Sequence, residues 1–231
     1  MAEKERYFNV PIQLYKGFMI DSIMCLNNVL HYACYDYTVK NNCPFKEAAT
    51  YFNIKFGDNT KRDLLNAESK GKELYNSITG NPPKVGIRLS LYWEYRKDGK
   101  TDFEKICLLA YLSIKSILQT KAYCKIENRF FLSRMDGNAK VIDLITLSKE
   151  IKPFGNEYQL VKIKKELVLK WNLKHYSRHT RGFYVSFSMN LTDLIYEAEK
   201  SRKSYLEKQQ KENEKKAIAA ALERLKNNTT N

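Results

Sequence analysis

A chain of 231 residues is long enough to bury its own hydrophobic core without disulfide staples. It carries 40 basic against 26 acidic residues, and the resulting +14 points to a polyanionic partner, either nucleic acid or an acidic membrane surface. Five cysteines with no CxxC pair argue against both a secreted disulfide framework and a zinc ribbon.

The N-terminal MAEKERYF has no apolar signal-peptide core, and no apolar run reaches the length of a membrane span. A cytoplasmic protein with reduced thiols is therefore expected. The composition and periodicity predict a mainly α fold with a small β component. Residues 1–80 form a helical N-terminal region, 84–190 a second domain, and 191–231 a long charged C-terminal helix with a frayed tail.

Residues 1–17 read as an extended lead-in. Ile20, Ile23, Met24, Leu30 and Cys34 predict a helix over Met19–Tyr37, with His31 as a core or boundary residue. Pro44 starts a short helix carrying Phe45, Ala48, Ala49 and Phe52. Thr60 and Asp63 form a variant capping box for a helix running to Ser77. Gly80-Asn81-Pro82-Pro83 then breaks the chain and marks the domain boundary. Residues 85–95 alternate as a strand would, although Tyr92 disturbs the alternation and leaves a short helix open.

Thr101 and Glu104 box a helix whose stripe runs from Phe103 through Ile106, Cys107, Ala110 and Ile114 to Ile117 and Leu118. Asn128–Met135 supplies one or two further helical turns, stopped by Gly137. Val141–Ile151 reads as helix and ends at Pro153 and Gly155. Asn156 caps the next helix, which reaches Trp171. The period then changes to two: Leu173–Tyr176 and Phe183–Phe187 predict a hairpin with a basic tip at Ser177–Gly182. The last helix starts near Asn190, and the 11 charged residues among 199–216 predict a solvated surface there.

The residues LSKEIKPFGNEYQLVKIKKELVLKWNL, followed by KHYSRHTRGFYVSF, resemble the winged-helix branch of the helix-turn-helix class. Ile151, Gly155 and Val161 occupy the spacing of that motif's small or apolar residue, glycine and later apolar residue. Phage and mobile-element proteins contain such modules. The resemblance implies a non-enzymatic nucleic-acid-binding protein acting in replication initiation or transcription regulation, with DNA favoured over RNA. Seven basic and two acidic residues lie between Asn156 and Arg181. Gln159, Lys162 and Lys165 are the candidate base and phosphate contacts on the helix, and Lys174, Arg178, His179 and Arg181 those on the wing.

Two other readings use the same residues. One is an anti-CRISPR or other counter-defence protein that binds a guide ribonucleoprotein or its RNA through the basic surface. The other is a metal-dependent nuclease using Asp143, Glu150 and Lys152, a short pattern that arises often by chance. Neither a P-loop nor a zinc-protease motif occurs, and no bound cofactor or metal is expected. Ile218, Ala221, Leu222 and Leu225 offer a patch for a protein partner or for self-association.

Overall fold

A computed structural model describes residues 5–97, 99–178 and 182–229, with side chains up to residue 220. The fold is mainly α, with two small antiparallel sheets and a long C-terminal helix. The lead-in is not simply extended. Strand β1 (Tyr7–Pro11) runs into a 3-10 turn at Ile12–Tyr15. Helices α1 (Ser22–Asn41), α2 (Phe45–Tyr51) and α3 (Lys61–Ser77) follow. At the start of α3, the Thr60 hydroxyl accepts from the Asp63 N–H while the Asp63 carboxylate accepts from the Thr60 N–H. Two orphan donors are thereby satisfied by residues three apart, which is why this boundary is fixed locally.

The alternating segment 85–95 divides in two. Strand β2 (Lys84–Arg88) pairs antiparallel with β1, placing Val10 opposite Val85 and Phe8 opposite Ile87. Helix α4 (Leu89–Arg96) continues directly from it and buries Tyr92, the residue that interrupts the alternation. The Tyr92 hydroxyl donates to the Leu26 carbonyl, and its ring meets Phe8 edge-on at 5.0 Å. The segment after Pro83 is thus sealed to the N-terminal helices, and one contiguous core extends from Phe8 to Val185.

Helix α5 (Asp102–Leu118) buries 11 of its 17 residues, more than one stripe can account for. It is a central helix, packed against β2, α6 and α7. The chain then forms β3 (Cys124–Ile126), α6 (Asn128–Met135), α7 (Glu157–Lys170), β4 (Lys174–Tyr176) and β5 (Phe183–Ser186). The second sheet has the order β3-β5-β4, so the C-terminal strand lies in the middle.

The expected helix over 141–151 does not form. That stretch is a 3-10 turn at Leu144–Thr146, then a loop and a second 3-10 turn at Lys152–Gly155. Tertiary partners take its backbone groups instead. The Ile142 N–H donates to Ser133 Oγ, the Ile142 carbonyl accepts from Arg129, and the Ser148 N–H donates to the Asp136 carboxylate. A backbone satisfied from outside has no need of an i to i−4 ladder. The helix that precedes α7 in the chain is therefore α6, not 141–151.

Helix α8 (Leu191–Thr229) begins at Asn190, whose side-chain oxygen accepts from the Asp193 N–H at 2.8 Å. Leu194 and Ala198 are buried against the body. From Lys203 to Ala220 every residue is exposed, so the helix leaves the body after Arg202. Among the described residues, no helix is long and apolar enough to cross a membrane.

Candidate nucleic-acid interface

Helix α7 is fixed by its cap and its buried face. The Asn156 side-chain oxygen accepts from the Gln159 N–H at 2.9 Å. Leu160, Ile163 and Leu167 are buried. Helical spacing then places Tyr158, Lys165 and Leu169 along the line farthest from the core, flanked by Val161 and Lys162. All five are exposed.

The candidate residues fall into three groups. Lys162 and Lys165 are exposed on the outward face, and the Lys162 ammonium sits 4.5 Å above the Phe103 ring. Gln159 is half-buried on a flank it shares with Glu166 and Lys170, away from the outward line. On the hairpin, Lys174 is half-buried and bonds the Asn172 side chain, while Arg178 is exposed and donates to Glu199 of α8 at 3.2 Å. His179 and Arg181 lie outside the described residues.

Of the helix-turn-helix spacing, Ile151 is buried, and a Cβ on Gly155 would stand 3.4 Å from Leu132 of α6. Val161 does not pack inward as that spacing implied, because the buried Leu160, Ile163 and Leu167 set the phase of α7 and leave Val161 exposed.

Two features emerge only in three dimensions. Glu199 gathers the Tyr176 hydroxyl at 2.7 Å, Arg178 at 3.2 Å and Arg202 at 2.9 Å, tying the base of the β4–β5 hairpin to α8. These donors hold its carboxyl below the usual range.

The second feature lies where α6, α7 and the hairpin meet. The Lys164 ammonium is 3.7 Å from the centre of the Phe183 ring and 3.1 Å from the Asn128 side-chain oxygen. Burial pushes its pKa down to about 8. His175 packs 5.5 Å from the same ring, and its Nε2 is buried without a hydrogen-bond partner among the described residues. Burial, and then the charge on Lys164, push its pKa down to about 4. The sequence held a signal for Lys164: it lies four residues after Leu160 and three before Leu167, on the buried side of α7.

This pair makes stability depend on pH. Above about pH 6.5, His175 is neutral in both folded and unfolded chains. As pH falls from there toward about 4, the unfolded chain takes up a proton that the folded chain refuses. Stability is expected to drop by about 2–3 kcal/mol across that window. Lys164 carries its cost at neutral pH already, because its folded pKa lies below the ordinary 10.5. Replacing Lys164 by Met is therefore expected to raise stability at pH 7 by about 1–2 kcal/mol. Denaturant unfolding at pH 7 and pH 4.5 checks both; a Met variant no more stable than wild type at pH 7 contradicts the account.

Of the nuclease pattern, Asp143 is paired with Arg129. Among the described residues, no group of three His, Cys, Asp or Glu side chains could hold a metal ion. Comparisons with known protein families, with curated proteins and with solved structures find no match to this chain.

Proposed function

We propose that this protein binds nucleic acid, duplex DNA in the first place, through residues 102–187 acting as a winged helix with α7 as the recognition helix. The observation that carries the reading is the topology. Helix, strand, helix, helix, strand, strand follow in that order, and the sheet has its last strand in the centre. Winged helices share this arrangement, and it leaves one helix with an outward face beside a basic hairpin. Lys162 and Lys165 lie on that face, in a chain of net charge +14.

Phosphate neutralisation releases counterions, so affinity should fall steeply with salt. Fluorescence anisotropy with a labelled duplex of about 30 base pairs is expected to show affinity dropping by about 10²-fold or more between about 50 and 200 mM salt. Absence of binding at the lowest salt overturns the reading. A preference for duplex RNA over duplex DNA overturns the DNA assignment.

A further inference from the structure

The outward face of α7 is not what a solvated helix presents. Tyr158 is 73% exposed, Val161 59% and Leu169 69%, yet Lys162 and Lys165 lie among them. The two carboxylates of the helix, Glu157 and Glu166, fall on its flanks by helical spacing. A face that mixes exposed apolar groups with lysines and lacks carboxylates suits a polyanion that itself displays apolar groups. In the major groove of B-form DNA, thymine offers a C5-methyl group, and the groove is wide enough for a helix. Duplex RNA offers neither, because it has no thymine methyl and its major groove is too narrow.

We propose that α7 reads thymine methyl groups in the major groove of A·T-rich DNA, with Val161 and Leu169 as the methyl contacts and Lys162 and Lys165 as their phosphate or base-edge partners. This rests on the winged-helix reading and narrows it to one substrate class. The positions are consistent with groove reading. Tyr158 and Val161 stand in the first turns of α7, the end of a recognition helix that meets base edges, and Leu169 lies in its last turn, further along the groove. Tyr158 to Leu169 spans roughly 16 Å at 1.5 Å per residue, about five base-pair steps.

Three synthetic duplexes test the idea: poly(dA-dT), poly(dA-dU) and poly(dG-dC). The first two differ only in the methyl group. Burying a methyl is worth about fourfold in affinity, so loss of two contacts is expected to weaken binding to poly(dA-dU) by about fifteenfold. The double variant Val161→Ser, Leu169→Ser changes exposed positions only. It is expected to bind both A·T and A·U polymers alike, at about the affinity wild type shows for poly(dA-dU).

Equal wild-type affinity for the first two polymers overturns the methyl proposal and leaves the DNA reading standing. A difference that persists undiminished in the double variant also overturns it, since the DNA's shape would then be what is read. Tighter binding to poly(dG-dC) does the same. If no polymer binds at low salt, the winged-helix reading fails as well. If wild type sediments as a dimer that the double variant dissociates, while the polymers bind equally, the face is a self-association surface instead.

Discussion

Replacing Lys162 and Lys165 together by Ala is expected to weaken duplex binding by at least about tenfold and to flatten the salt dependence by about two phosphate equivalents. Both side chains are exposed on the outward face of α7, and among the described residues neither is paired with a carboxylate. Lys162 leans over Phe103, an interaction worth little at an exposed site and easily exchanged for a phosphate. Truncating them leaves the buried Leu160, Ile163 and Leu167 untouched, so the fold should survive. The Lys170→Ala variant is the comparison. Its ammonium is paired with Glu166 on the flank, and its loss should matter far less. A double variant that binds with unchanged affinity and unchanged salt slope would remove α7 from the interface.

A large effect on stability is expected at Gly71. This glycine lies in α3, and a Cβ there would stand 2.6 Å from the His31 carbonyl oxygen and 2.8 Å from the Tyr35 Cβ on α1. The nearest obstacle is backbone, which cannot rotate aside. Gly71→Ala must push α1 and α3 apart, at a cost of about 3 kcal/mol. The gain in helix propensity returns roughly 1 kcal/mol of this. A net loss of about 2 kcal/mol should lower the melting temperature by about 4–8 °C in a chain of this size. Gly86→Ala is the control, since a Cβ there would make only an ordinary contact of 3.7 Å with Tyr7. A Gly71→Ala protein as stable as wild type would show that the two helices are not packed this closely.

The elements legible in the sequence are those whose ends are decided within three residues. Thr60 with Asp63, Thr101 with Glu104, and Asn156 with the Gln159 N–H each close a local hydrogen bond, and the helices start there. The hairpin of β4 and β5 was legible too, because its period of two and its polar tip are local. Strand β3 was missed: three residues are too few to show a period.

The candidate site was legible only in part. Helical spacing from Leu160, Leu167 and Trp171 sent Gln159 and Lys162 away from the core, with Lys165 beside them; the two lysines are exposed, but Gln159 is half-buried on a flank. The spacing did not show that Arg178 is held by Glu199, 21 residues further on, or that Lys164 and His175 meet over Phe183. Nor could it predict the fate of residues 141–151, whose backbone is claimed by Ser133, Arg129 and Asp136.

By itself, then, the sequence determined a basic, mainly α chain with a hairpin near its C-terminal helix, because charge, caps and periodicity are local quantities. The tertiary structure alone decided that α7 packs on α5, that β2 returns to β1 across more than 70 residues, and which polar groups are taken out of water. Those outcomes depend on hydrogen bonds and burial between residues far apart in the chain, and no window of sequence contains both partners.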